Sequence, residues 1–230
     1  SMLTGRYLHE MGIQTNQSKI IDPIEFPTYA TIFKNAGYET GYLGKWHVPY
    51  NVKEPESHGF LYMNYIKNDG ADSLTSAGAI EFLKTKRDKP FLLVTSIVNP
   101  HNICEWARGE ALPNGDIGNP PIIDKCPPLR PNHEPSKNET ELIKMARESY
   151  QDTKLFPVAD FDDEKWRKYR WAYFRLIEKA DNEIGKILTT LRELNLDKNT
   201  MVIFTSDHGD CQGAHRWSQK TVFFEEAAKV

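Results

Sequence analysis

The sequence predicts an α/β fold with a largely parallel or mixed central sheet and helices on both faces. Three observations carry that expectation. Helix-like and strand-like segments alternate along the chain, two of the strand candidates are continuous apolar runs, and a long amphipathic stretch lies between them. With 230 residues, 39% of them hydrophobic, the chain is long enough to bury the core of one such domain, with room for a small appendage.

The first helix is expected over Tyr29 to Ala36, ended by Gly37. A strand follows, in which Tyr38, Thr40 and Tyr42 alternate with Glu39, Gly41 and Leu43. If its extended backbone continues through Gly44, Lys45 and His47 share one face while Trp46 turns into packing. Ala71 to Lys86 carries Leu74, Ala77, Ile80, Phe82 and Leu83 at near-helical spacing. "PFLLVTSIV", Pro90 to Val98, reads as a strand covered on both faces, and Asn99, Pro100 and His101 come directly after it.

Residues 102–137 form a Pro-rich loop. Its prolines at 113, 120, 121, 127, 128, 131 and 135 exclude a continuous helix or a central strand. Asp163 to Leu194 places Trp166, Tyr169, Tyr173, Leu176, Ile177, Ile184, Ile187, Leu188 and Leu191 in helical register, as one long helix or two in tandem. The last predicted strand, Met201 to Thr205, ends in Ser206, Asp207 and His208.

Composition excludes several classes. The formal net charge of −3 offers no basic field for nucleic acid. No apolar run is long enough to span a membrane, and the N-terminal "SMLTGRYLHEMG" lacks the zones of a signal peptide. Three cysteines rule out a dense disulfide framework. Cys104 and Cys126 flank the Pro-rich loop and could pair, but two free thiols are the preferred reading. "NQS" at Asn16 and "NET" at Asn138 match the glycosylation pattern and carry no weight.

In parallel sheets, ligands bind beyond the carboxyl ends of the strands. The predicted strands therefore deliver Lys45 and His47, His101, and Asp207 and His208 toward one rim. Each has a plainer alternative: a solvated lysine, a satisfied histidine beside Trp46, a loop histidine after Asn-Pro, and an Asp-His pair capping the next helix. Taken jointly the plainer readings weaken, because independent accidents must coincide at one end of a sheet.

"GYETGYLGKWH", then "TMVIFTSDHGD" and the lysine of "HRWSQKTVFFEE", together resemble the sulfatases of the alkaline-phosphatase-like superfamily. The opening "SMLTGRY" is similar to the tail of the sulfatase signature, the part after its C/S-x-P-x-R element. The resemblance runs across nearly the whole chain. It implies an alkaline-phosphatase-like fold, with residues 1–230 an incomplete catalytic domain truncated at both ends. The formylglycine nucleophile and two metal-binding aspartates are then expected upstream, Ser1 falls after the nucleophile, and the chain alone is expected to be inactive.

Cleaving a sulfate ester needs fixed positive charge, a nucleophile and a proton donor. The resemblance implies that Lys45 and Lys220 contact sulfate oxygens, that His47 hydrogen-bonds the formylglycine hydrate, and that His101 lies near the leaving oxygen. Asp207 and His208 are the implied metal ligands. Calcium is the usual family ion; a nitrogen donor at position 208 leaves room for another. His208, Cys211 and His215, with Asp207, also have a spacing that could hold zinc, ranked below calcium.

The expected function is metal-assisted hydrolysis of sulfate esters, on a sulfated small molecule or glycan, without nucleic-acid or membrane partners. The alternatives are a phosphomonoester or phosphodiester hydrolase of the same superfamily and a noncatalytic sulfate- or glycan-binding module. A periplasmic, extracellular or lysosome-like compartment follows from the resemblance alone. Oligomeric state, cleavage position and the role of His133 are left open.

Overall fold

The computed structural model describes residues 2–15, 20–66 and 71–229. Ser1 and Asn16 fall outside the described residues. The chain divides into two compact units, Ser1–Val98 with Asn182–Thr200, and Asn99–Asp181 with Met201–Val230.

The first unit is built on a parallel sheet. Helix α1, Tyr29–Asn35, starts where the Thr28 hydroxyl accepts a hydrogen bond from the Thr31 amide at 3.2 Å. It ends at Ala36 and Gly37, whose left-handed φ of +91° turns the chain into strand β1, Glu39–Lys45. A short helix α2, Pro55–His58, precedes strand β2, Tyr62–Ile66. Sequence periodicity gave no sign of either. Helix α3, Asp72–Lys84, then leads to strand β3, Phe91–Ser96. The strand order is β2-β1-β3 with both pairings parallel, as expected of strands joined by helical crossovers.

Central position explains why β1 is buried on both faces. Leu43, 0% exposed, packs with Ala79 and Phe82 of α3, while Tyr42 packs with Ala30 of α1 and with Phe60. Gly41 allows the close approach of α3, since a Cβ there would lie 2.9 Å from the Phe82 ring. β3 departs from expectation: every residue is only half-buried, because β3 pairs on one side alone among the described residues. The face of α3 also differs. Asp72, Thr75, Ser76, Gly78, Ala79, Phe82 and Leu83 are buried, whereas Leu74 and Ala77 are exposed. Small side chains let this helix sit close to β1, so the expected apolar spacing marks the buried stripe only at Phe82 and Leu83 and misses its small and polar members.

The second unit is organised by α6, a single helix over Asp163–Glu193 whose residues up to Asp181 belong here. Trp166, Tyr169, Ala172, Tyr173 and Leu176 follow the 3.6-residue repeat and bury against Ile103, Cys104, Ile117 and Val158. Ile177, expected on the same stripe, is 40% exposed. The Pro-rich loop opens with a short helix α4, Ile103–Arg108, followed by irregular chain. Prolines deprive that chain of its own hydrogen bonds, and α6 supplies donors instead. The Arg167 side chain donates to the carbonyls of Cys126 (2.9 Å) and Pro127 (3.2 Å), and Lys179 donates to that of Asn114 (2.8 Å).

Helix α5, Glu141–Gln151, is N-capped by Thr140. Its Tyr150 joins a cluster with Cys211, Trp217, Val222, Phe224 and Ala227, the last lying in the short helix α7, Glu225–Ala228. The three cysteines are buried and free. No helix among the described residues is long and apolar enough to cross a membrane.

The predicted strand at Met201–Thr205 does not form. Residues 201–206 take no regular structure, and Met201, Val202, Ile203 and Phe204 are between 56% and 86% exposed. β-propensity is realised only through pairing, and among the described residues no strand lies against this run.

Candidate functional site

Gly44 departs from the extended backbone on which a shared face for Lys45 and His47 depended. Its φ is +100°, and a Cβ there would lie 2.1 Å from the Ser96 carbonyl oxygen. β1 therefore kinks at its end, with Lys45 as its last residue, half-buried, and His47 exposed beyond it. Trp46 does turn into packing. Its ring lies 4.9 Å from those of Tyr42 and His58, and its Nε1 donates to the Tyr50 carbonyl at 3.3 Å. The Tyr42 hydroxyl donates to the Lys45 carbonyl. These contacts tie the segment that carries Lys45 and His47 to the apolar face of the sheet.

His58 is fully buried under Trp46. Burial lowers the pKa of its imidazole, with the nearby Val52 backbone opposing and the Lys34 charge reinforcing the effect.

The other expected site residues belong to the second unit. His101 is half-buried at the entry to α4, where its carbonyl accepts from the Cys104 amide at 3.2 Å. The turn is held by Asn102, 0% exposed, whose Oδ1 accepts from Asn114 at 2.8 Å and whose Nδ2 donates to Glu105 at 3.2 Å.

Asp207 and His208 come together. His208 Nε2 lies 3.4 Å from Asp207 Oδ2, and its Nδ1 is 2.7 Å from the Gly209 carbonyl. A proton on Nδ1 satisfies that carbonyl and turns the Nε2 lone pair toward the carboxylate. Two cis donors on one divalent ion at about 2.3 Å stand roughly 3.3 Å apart, a spacing that the 3.4 Å between these two atoms matches, so the pair fits the divalent metal that the resemblance implies. Capping is set aside on the same residues. Among the described residues no helix begins here, the next helical turn being Ala214–Arg216.

The zinc grouping does not assemble. Among the described residues the ligand atoms of Asp207, His208, Cys211 and His215 do not gather within 4.8 Å of one another. The Cys211 thiol, 0% exposed, is pushed up to about 12 by burial, reinforced by the neighbouring Asp210 charge, which opposes the thiolate a metal requires. The His215 ring stacks on Phe224 at 4.2 Å.

Asp210 was passed over in the sequence, although it stands in the same "SDHGD" run. Burial raises its carboxyl pKa, opposed by the Gln212 amide at 2.8 Å and by the charge of Lys220. Tyr173 of α6 has its phenol pKa raised by burial and by Asp210 and Asp207. The turn is locked by backbone bonds from Gly209 to Ala227 (2.9 Å) and from Cys211 to Gln219 (2.8 Å).

The C-x-P-x-R spacing also occurs once, at Cys126–Arg130. Cys126 is 3% exposed, and its run continues as Pro131-Asn132-His133, not as the Leu-Thr-Gly-Arg-Tyr of residues 3–7.

Comparison with known proteins identifies the family. A family model described as Sulfatase matches residues 1–228. A Delta 4,5-hexuronate-2-O-sulfatase of Bacteroides thetaiotaomicron is 24% identical over all of this chain and 50% of its own length. An ulvan-active sulfatase of Formosa agariphila is 29% identical over all of this chain and 44% of its own. The solved structure of a 2-O GAG sulfatase superposes with a TM-score of 0.77 at 21% identity, covering 98% of this chain and 50% of that one. The chain thus spans about half the length of the curated relatives it matches. With the family model covering all but two of its 230 residues, the chain belongs to the sulfatase family.

Proposed function

We propose that this chain carries part of the active site of a sulfuric ester hydrolase acting on sulfated carbohydrate. The observation that carries the reading is the Asp207–His208 donor pair, 3.4 Å apart, in a chain of the sulfatase family. The names of the relatives support the carbohydrate part.

The family implies a divalent metal and a formylglycine nucleophile. The metal, for which calcium is our choice, would be held in part by Asp207 and His208 and would offset charge on the sulfuryl oxygens. Lys45 and Lys220 would bind and orient the sulfate through its oxygens. Their fixed charge would stabilise the negative charge that builds there as the ester bond breaks. His47 would hydrogen-bond the nucleophile's hydroxyl, and His101 would hold the proton delivered to the leaving oxygen. We place residues 1–230 within one catalytic domain, with 102–137 as a loop of it.

The test uses the protein in its full natural length, on a sulfated disaccharide, an aryl sulfate and the matching aryl phosphate. Sulfate release from both sulfates, with phosphate turnover at least about 100-fold slower, is expected. Preference for the phosphate would reassign the site to phosphoryl transfer, and saturable binding without turnover would reassign it to recognition. His101→Ala should slow the sugar sulfate far more than the aryl sulfate, whose phenolate leaves without a proton. Equal losses on both would make His101 a positioning residue.

A further inference from the structure

His133 lies outside the residues assigned above, yet its surroundings are built. It is 4% exposed, and the Trp166 ring packs against it at 5.8 Å. Its Nδ1 is 2.7 Å from the Gly213 carbonyl oxygen, which accepts the ring proton. The neutral imidazole then presents a lone pair at Nε2. That nitrogen has no hydrogen-bond partner, and the Asp163 carboxylate faces it with Oδ1 at 3.8 Å.

A buried imidazole nitrogen and a carboxylate oxygen that face each other as two acceptors favour a positive charge between them. Glu134 adds a third donor atom, and one ligand atom from each of His133, Glu134 and Asp163 lies within 4.8 Å of the other two. An imidazole fixed through its far nitrogen by a backbone carbonyl is the arrangement that orients metal-binding histidines.

Arg216 supplies charge to only part of this cluster. Its guanidinium donates to Glu134 at 2.7 and 3.3 Å and to Asp163 at 3.4 Å, but no hydrogen bond from it reaches His133 Nε2. The Arg216, Glu134 and Asp163 side chains are 36%, 70% and 64% exposed, so they can move while the imidazole stays fixed. Arg216 also lines a cavity of about 510 Å³ with Arg147, Gln151 and Phe161, which gives a displaced guanidinium somewhere to go.

We propose that His133, Glu134 and Asp163 form a binding site for a divalent transition-metal ion of the zinc class, for which the ion competes with Arg216. Donors on such an ion at about 2.1 Å stand roughly 3.4 Å apart, so the exposed carboxylates close in by about 1 Å on a stationary nitrogen. One nitrogen and two carboxylates suit zinc better than calcium. Bound metal would pin the Pro-rich loop to the first turn of α6. The site is independent of Asp207 and His208.

The test is a zinc titration, with cobalt as the absorbing substitute, on chelator-treated protein carrying Asp207→Asn and kept in excess calcium. Expected are one equivalent of zinc, a cobalt spectrum of nitrogen and oxygen ligation, and a zinc-dependent rise in Tm. His133→Gln should weaken zinc by about 100-fold or more, since even outer partners of metal ligands are worth 10–100-fold. Glu134→Gln, at an exposed position that should not disturb folding, should weaken it at least about 10-fold. Arg216→Gln should tighten it about 10-fold, because the competing cation is gone. No saturable zinc binding, or an Arg216→Gln protein that melts lower and binds zinc no better, would overturn the proposal and leave these four side chains as an ion-pair network.

Discussion

Replacing Gly44 by alanine, and separately Gly37 by alanine, isolates what the end of β1 requires. Both glycines have left-handed φ values, +100° and +91°. Alanine pays about 1–2 kcal/mol for that conformation at either position. At Gly37 nothing lies within 4 Å of the added Cβ, so the loss stops there. At Gly44 the Cβ meets the Ser96 carbonyl oxygen at 2.1 Å and Thr75 Oγ1 at 2.8 Å. An ordinary carbon–oxygen contact is about 3.3 Å, so Ser96 must retreat by roughly 1.2 Å from the strand it pairs with. Losing that end of the ladder costs about 1 kcal/mol, and overpacking adds about 1–3 kcal/mol. The totals are roughly 3–6 kcal/mol for Gly44→Ala and about 1–2 kcal/mol for Gly37→Ala. At about 2–4 °C per kcal/mol for a chain of this size, Tm should fall by roughly 6–24 °C in the first variant and roughly 2–8 °C in the second. Thermal unfolding with hydrogen exchange at the β1–β3 amides measures both. Equal losses would refute the reasoning, because backbone conformation alone would then account for Gly44.

Lys45→Ala and Lys220→Ala in the full-length protein should each lower kcat/KM by about 2–4 kcal/mol of transition-state stabilisation with little change in Tm; near-normal turnover returns that lysine to a solvated role. Asp207→Asn keeps the size and one oxygen but removes the charge, so metal analysis should find the ion lost along with activity, and full occupancy would exclude a ligand role. Burial lowers the pKa of His58, so the unfolded chain binds the proton more readily. Its contribution is fully present above the ordinary value of 6.5 and is lost as pH falls from there toward the folded value. Urea unfolding at about pH 7 and about pH 5 should therefore show a smaller loss on acidification in His58→Gln than in the unmodified protein, and an unchanged loss would assign the pH dependence elsewhere.

The local elements were legible where they carry their own signals. Gly37 ends α1, the alternation after it announces β1, and the repeat through Trp166, Tyr169, Tyr173 and Leu176 announces α6. The Asp207–His208 pair was also visible, because adjacent residues need no tertiary fold to be neighbours. Short elements such as α2 and β2 were not visible, since five or fewer residues hold too few repeats to show a period.

What the tertiary structure decided is everything that depends on a partner distant in sequence. Whether an apolar run becomes a strand is settled by pairing: Phe91–Ser96 found β1, whereas the similarly apolar Met201–Phe204 stands exposed. Which stripe of α3 is buried was set by how closely Thr75, Ser76 and Ala79 could approach the sheet, a property of shape that hydrophobicity does not encode. His133 and Glu134, thirty and twenty-nine positions before Asp163, meet it only because the loop folds back on the start of α6. Sequence determines the chemistry each residue brings and the local turns it favours, while long-range packing determines which of those residues share an environment, because the contacts that repay loop-closure entropy form only in the folded chain.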